Sequence, residues 1–184
     1  LKKEKKNIID KLRFKLSDFK LKEVKKNFNV LHIRYDPINS PERNINLNDL
    51  KKILLSIKKK YKNINTVIIS DQEGKKIFKK LDKKFKRGFV LIQKKQNIFE
   101  DFRYILSCKM FLNYKESGMS VLAFCSKIRF IIAGSEYSKT IQKERYLKFN
   151  NTKEVQWQLP YQRFYRERNN LNTFLKAIQS YKYK

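Results

Sequence analysis

Two short segments of this 184-residue sequence combine residue types that bind phosphate groups. The first is Ser117-Gly118-Met119-Ser120, which follows an apolar run and opens a segment with helical spacing. Hydroxyl groups and the free N–H groups of a first helical turn donate hydrogen bonds to anions, and glycine allows a tight turn and close backbone approach. These four residues therefore predict a phosphate-binding turn. The alternative interpretation is an ordinary serine N-cap.

The second segment is His32-Ile33-Arg34, at the end of another apolar run. Because side chains alternate along a strand, His32 and Arg34 share one face and Ile33 lies on the other. The arginine fork binds phosphate oxygens in pairs, and a histidine can donate a proton or orient a neighbour, so this pair suits a diphosphate. The alternative interpretation is structural, with Arg34 paired to Asp36 and His32 packed under a helix.

The hydrophobic pattern predicts the elements that position these segments. Short, nearly continuous apolar runs alternate with segments of helical spacing, which indicates a parallel sheet covered on both faces. Right-handed crossovers then give an α/β, doubly wound, Rossmann-like sheet of about five strands with helices on both faces. The predicted strands are 29–34, 65–70, 88–92, 108–112 and 129–133, and the predicted helices are 2–26, 47–60, 75–86, 98–107, 118–126 and 170–180.

Polar residues follow four of the predicted strands. Ligands of an open parallel sheet bind at the carboxyl ends of its strands, so these residues should converge on one rim. Asp71 also has a plainer interpretation, since Asp-x-x-Gly is a common turn. The expected substrate-binding residues are His32, Asp36, Ser70, Asp71, Gln93, Asn97, Glu116, Ser117, Gly118, Met119 and Ser120, together with Arg34.

The formal net charge of +28 has a compositional explanation. Of the 45 basic residues, 35 are lysine, and isoleucine and asparagine are also abundant, as an AT-rich genome would favour. Proteins that read nucleic acid rely more on arginine. We therefore expect nucleic acid to bind only nonspecifically, through counterion release, and an anionic membrane surface to be a further partner.

No motif indicates a metal or an organic cofactor. The sequence lacks G-x-x-x-x-G-K-[ST], G-x-G-x-x-G, G-x-S-x-G and Asp-x-Asp, and its one histidine cannot supply a metal triad. Its two cysteines lie in apolar runs, and no apolar run reaches the roughly 18 residues of a transmembrane helix. We expect no cofactor, no metal, and a location in the cytoplasm or at the membrane periphery.

The run from 28 to 134 resembles the C-terminal, donor-binding domain of GT-B glycosyltransferases, in particular the α-1,6- and O-fucosyltransferase group. Three stretches carry the resemblance: VLHIR at 30–34, VIISD at 67–71 and MFLNYKESGMSVLA at 110–123. They match a strand ending in His-x-Arg, a strand ending in Ser-Asp, and a later helix opened by Ser. The group usually has an Asp three residues after the Arg, whereas Asp36 follows Arg34 by two.

The resemblance implies a function and a domain order. Arg34 would bind the β-phosphate of a nucleotide-diphosphate sugar, with a GDP-sugar favoured, and is the expected catalytic residue. The turn at 117–120 would bind the donor's phosphates, and His32 and Asp71 would line the same site. A separate N-terminal domain would bind the acceptor, and catalysis would be metal-independent. Residues 1–27 would then be a bridging helix, 28–134 the donor domain, and 135–184 a tail with a closing helix.

Other interpretations remain open at this stage. The chain could be a basic α/β module that binds nucleic acid or an anionic surface, or an interaction domain with no ligand. An aromatic cluster near the C-terminus could stack on a base or sugar, or could be core or a contact with a neighbouring domain. It comprises Trp157, Tyr161, Phe164 and Tyr165.

Overall fold

The computed structural model of the chain describes residues 27–39, 41–92, 97–115, 117–133, 159–165 and 171–183. The predicted helix 2–26 lies outside the described residues, as do the site candidates Gln93 and Glu116 and the aromatic residue Trp157.

The described chain folds around one parallel sheet of six strands in the order β3-β2-β1-β4-β5-β6. Every neighbouring pair of strands is parallel. This strand order is that of a doubly wound Rossmann-like fold, which confirms the predicted class. The strands are β1 (Phe28–Ile33), β2 (Asn65–Ser70), β3 (Phe89–Leu91), β4 (Met110–Tyr114), β5 (Phe130–Ala133) and β6 (Arg163–Tyr165).

Helices cover both faces of the sheet. A 3-10 turn, Pro41–Arg43, precedes the first of them. No helix among the described residues is both long and apolar enough to cross a membrane. The helices are α1 (Leu47–Lys60), α2 (Gln72–Lys79), α3 (Lys83–Lys86), α4 (Ile98–Ser107), α5 (Gly118–Phe124) and α6 (Leu171–Ser180).

Alternation along the buried strands divides the core into two. In β1, Leu31 and Ile33 pack with α1, α2 and α6 on one face of the sheet. Val30 of the same strand packs with α4 and α5 on the other face. Both faces of β1 are therefore largely apolar, which explains why its sequence is a mostly hydrophobic run rather than an alternating one.

Two strands differ from the predictions. The sheet has six strands rather than about five, because β6 is a three-residue edge strand in a polar and aromatic segment without an apolar run. Strand β4 spans Met110–Tyr114 rather than 108–112. Its start is displaced because Cys108 is the C-cap of α4, with its N–H donating to the carbonyl of Ile105.

The predicted helix 75–86 is wrong, since the structure has two shorter helices there. Helix α2 begins at Gln72 because the Asp71 side chain accepts a hydrogen bond from the Gly74 N–H. It ends at Lys79, and the chain then turns so that Leu81 enters the core at 3% exposure before α3 begins. The helical spacing of the apolar residues persisted across this break and concealed it.

Candidate functional site

The strand order reverses between β1 and β4, which are neighbours in the sheet. The helix after β1 packs on one face and the helix after β4 packs on the other. In doubly wound folds this switch point opens a crevice at the carboxyl ends of the two strands, where ligands bind. Strand β1 pairs His32 with Asn113 at this end of β4.

A buried polar cluster joins β1, β4 and the first turn of α5. The Asn113 side-chain amide donates hydrogen bonds to Ser117 Oγ at 3.1 Å and to Ser120 Oγ at 2.8 Å. The Ser117 N–H donates to Ser120 Oγ at 3.2 Å. His32 Nδ1 lies 3.2 Å from Ser117 Oγ and 3.4 Å from Asn113 Oδ1. These contacts fix the first turn of α5 against the two strand ends.

Burial makes His32 a neutral member of this cluster. Desolvation lowers the pKa of His32 to about 4, against smaller opposing effects from the Asn113 hydrogen bond and the charge of Asp71. His32 packs under α5, as the structural interpretation of this residue expected. A neutral imidazole adds no positive charge for a phosphate, but it can orient the Ser117 hydroxyl.

The buried imidazole predicts a pH dependence of stability. The folded-state pKa lies below the ordinary value of 6.5, so the unfolded chain binds the proton more tightly and stability is lost as pH falls. Between pH 8 and pH 5 the free energy of unfolding should fall by about 2 kcal/mol from this group. Urea unfolding at both pH values measures the loss. His32 is the chain's only histidine, so its proton NMR titration reports the pKa directly, and a value near 6.5 would contradict the assignment.

Arg34 directly follows β1 and is paired loosely with Asp36. The guanidinium lies 3.7 Å from the Asp36 carboxylate, and the Arg34 side chain is 14% exposed. Asp36 itself accepts hydrogen bonds from the N–H groups of Ile38 and Asn39, and the bond from Asn39 chiefly lowers the pKa of its carboxyl. The Arg34–Asp36 ion pair of the structural interpretation is therefore present. The hydrogen bonds of Asp36 mainly hold the loop after β1.

The end of β2 is tied to the end of β1 by Ser70 and Asp71. Ser70 Oγ donates to the carbonyl of Ile33 at 2.6 Å. Asp71 uses one oxygen to cap α2 through the Gly74 N–H at 2.6 Å and the other to accept from the Tyr35 N–H at 3.3 Å. These are the contacts of a structural turn, as the plainer interpretation of Asp-x-x-Gly expected.

The backbone of Gly118 does not use the conformational freedom of glycine. It is not in the left-handed region, whereas Lys115 has φ 63° and lies in the turn after β4. Close approach of the Gly118 backbone to a phosphate stays a prediction. Among the described residues, a Cβ built on Gly118 would meet no atom within 4 Å, so open space adjoins it there. Met119 beside it packs against the core on the α4 and α5 face.

Not every predicted site residue joins the cluster. Asn97 caps α4 by accepting from the Phe99 N–H at 3.0 Å, and it follows the edge strand β3. Within the described residues no hydrogen bond links it to β1 or β4. Asn113, in contrast, is central to the cluster. It directly follows the predicted strand 108–112, so the rule for strand ends places it on the expected rim, although it was not among the expected substrate-binding residues.

Comparisons with known proteins give little further information. No known family model matches the sequence, and no curated protein matches it. One solved structure with similarity is the C-terminal domain of a glycosyl transferase group 1 family protein from Francisella tularensis. The match has 11% sequence identity and a TM-score of 0.49, and it covers 90% of this chain and 80% of that chain. At this score the likeness by itself supports no inference about this chain.

Proposed function

We propose that this chain is the nucleotide-diphosphate-sugar binding domain of a GT-B glycosyltransferase and forms the C-terminal half of a two-domain enzyme. The proposal rests on the topological switch point between β1 and β4, where doubly wound folds open a ligand-binding crevice. This switch point has Arg34 after one strand and the 117–120 turn after the other, the positions that the motif resemblance assigns to phosphate binding. The finer proposal is a fucosyltransferase-like enzyme with a GDP-sugar donor.

The side chains divide into groups that bind and groups that position. Arg34 supplies the positive charge and forked donor geometry for the β-phosphate. The backbone at Gly118 faces open space and can approach a phosphate closely. His32 and Asn113 hold the Ser117 and Ser120 hydroxyls in place. Transfer of the sugar then requires the acceptor domain that the resemblance implies.

The net charge favours a second candidate function, binding of an anionic polymer or surface. Lysine-rich charge gives affinity that falls steeply with salt and carries no sequence information. A sequence preference that survives at physiological ionic strength would favour this second function over the first.

A thermal-shift screen tests the proposed function. The protein at physiological salt is heated with GDP-, UDP- and ADP-sugars, each paired with its nucleoside. One nucleotide sugar at about a hundred times its Kd should raise Tm by roughly 5 °C or more, since specific binding at this level adds about 2.7 kcal/mol. Equal shifts with inorganic pyrophosphate and with every nucleotide sugar would indicate charge alone and contradict the proposal.

Donor binding should not need a divalent metal. The sequence has no Asp-x-Asp pair to hold a metal–diphosphate complex, and its many cationic side chains, Arg34 among them, can neutralise the phosphates in place of a metal. The Kd of the best nucleotide sugar should therefore change less than twofold when EDTA replaces Mg²⁺ in calorimetry. Binding that disappears in chelator would refute the metal-independent assignment.

Substitutions at Gly118 should change the affinity for a nucleoside diphosphate without changing the stability of the fold. A side chain there would meet no atom of the described part of the chain within 4 Å of its Cβ, so Gly118→Val should fold with nearly unchanged stability. Its branched side chain would occupy the open space and block the phosphate, with a loss of roughly tenfold in affinity. Gly118→Ala should lose less. Calorimetry with the nucleoside diphosphate measures both variants, and unchanged affinity in Gly118→Val would remove this turn from the site.

A further inference from the structure

A second cleft lies at the other end of the sheet from the switch-point crevice. It adjoins the amino ends of β5 and β6 and the C-terminal end of α6, and its volume is about 540 Å³. The crevice, in contrast, lies at the carboxyl ends of β1 and β4. The residues that line the cleft are Arg129, Pro160, Tyr161, Arg163, Tyr165, Ala177, Ser180, Tyr181 and Lys182.

The charge of this cleft is positive. Arg129, Arg163 and Lys182 contribute three cations, and none of the described residues that line it is acidic. The positive charge of the cleft is not explained by lysine-rich composition alone. Two of the chain's ten arginines line it, although lysine is far more abundant in the sequence. Paired guanidinium groups favour phosphate, whose oxygens match their donor geometry.

Contacts with the tyrosines and the backbone hold the cationic groups in place. The Arg129 guanidinium lies over the Tyr161 ring, 5.4 Å from its centre. Arg163 donates to the carbonyls of Pro160 and Gln162. The Tyr181 hydroxyl donates to the Tyr161 carbonyl at 2.6 Å, which ties the end of α6 to the segment before β6. A ligand would therefore meet a site whose groups are already positioned.

The size and lining indicate what the ligand carries besides charge. A volume of 540 Å³ falls within the range of about 300–1,000 Å³ for small-molecule sites and exceeds the need of a lone phosphate ion. Tyr161 and Tyr165 are partly exposed, whereas Tyr181 is buried, and the Tyr161 and Tyr181 hydroxyls donate to the carbonyls of Lys127 and Tyr161. The three rings, with hydroxyl oxygens that can still accept a hydrogen bond, suit a ring that bears hydroxyls. Two of them belong to the C-terminal aromatic cluster, whose third described member, Phe164, is buried core.

We propose that this cleft binds a phosphorylated sugar, with the phosphate at Arg163, Lys182 and Arg129 and the sugar ring against the tyrosines. The site goes beyond the proposed donor site, because it uses other strands and the opposite end of the sheet. A molecule bound here would leave the crevice accessible.

NMR titration tests the proposal at constant ionic strength. The probes are glucose 6-phosphate, glucose and inorganic phosphate, added separately to the full chain. Glucose 6-phosphate should shift amide signals of residues 161–165 and 177–182 and bind at least fivefold more tightly than either other probe. Binding by inorganic phosphate with equal affinity, or shifts confined to residues 32–36 and 117–120, would overturn the proposal.

A matched pair of variants separates this site from general charge. Arg163→Gln with Lys182→Gln removes one arginine and one lysine from the cleft, and both residues are exposed, so the fold should persist. Lys80→Gln with Arg87→Gln removes the same charges from exposed positions near β3, at the opposite edge of the sheet.

The cleft variant should weaken glucose 6-phosphate binding at least tenfold, and the control should change it less than twofold. If the double variant does not fold, Lys182→Gln alone should weaken binding at least threefold. Equal losses in the cleft variant and the control, or no loss in either, would refute the site.

Discussion

Gly74→Ala should destabilise the protein by about 2–4 kcal/mol, the range of substitutions that overpack a core and break a buried hydrogen bond. A Cβ on Gly74 would lie 1.9 Å from Ser70 Oγ and 3.1 Å from the carbonyl oxygen of Ile33. These two atoms are hydrogen-bonded to each other at 2.6 Å. The methyl group must therefore separate α2 from the ends of β1 and β2 or displace the Ser70 hydroxyl.

Urea unfolding of Gly74→Ala measures this loss, and two variants test its cause. Ser70→Ala removes the closest atom, so the loss in Gly74→Ala should be smaller in the Ser70→Ala background, by about 1 kcal/mol or more. Gly118→Ala is the matched control, because its methyl group meets none of the residues that the structure describes and a helical alanine is favoured by up to about 1 kcal/mol. Equal stability of Gly74→Ala and Gly118→Ala would contradict the packing of α2 on the sheet.

Arg34→Lys should weaken binding of a nucleoside diphosphate by roughly 1.5–3 kcal/mol, the scale of a hydrogen bond to a charged group. Lysine keeps the charge but cannot form the two parallel bonds of a guanidinium fork. The effect should depend on the phosphates, so the matching nucleoside should bind the variant and the natural chain equally. Calorimetry with both ligands measures the difference.

The ion pair with Asp36 requires its own control. Because Arg34 lies 3.7 Å from that carboxylate, a purely structural role would make Arg34→Lys and Asp36→Asn alike in stability and neutral in binding. The donor-binding role instead predicts a binding loss in Arg34→Lys with little change in its unfolding curve. An equal loss of affinity for nucleoside and diphosphate would show that Arg34 does not act on the phosphates.

Elements with a strong local signal were predictable to the residue. Helix α1 and helix α4 were predicted at their observed bounds, since each shows helical spacing and an asparagine that caps its first turn. Strand β2 was predicted correctly because it is an apolar run with flanking polar residues. Strand β6 could not be predicted in this way, because its place depends on pairing with β5 and its own three residues carry little pattern.

The rim of the site was predictable, but its internal contacts were not. Strand order brings His32 beside Ser117, and the rule that ligands bind at strand ends selected both residues. Asn113 donates to the hydroxyls of both serines, which lie four and seven residues later in the chain, and this spacing matches no known phosphate-binding motif. Its contact with His32 comes from strand pairing, which leaves no sequence spacing to detect. The need for glycine at position 74 was missed, because it comes from the packing of α2 against Ser70 Oγ and the Ile33 carbonyl at the ends of β2 and β1.

Chemical-shift mapping with a nucleoside diphosphate locates the donor site directly. The natural chain at physiological salt is titrated with GDP, and with guanosine as the control. Saturable amide shifts are expected at residues 33–35 and 117–120, and much smaller shifts at those residues with guanosine. Shifts spread over the lysine-rich surface, or an unchanged crevice, would contradict the assignment of this fold as a nucleotide-sugar binding domain.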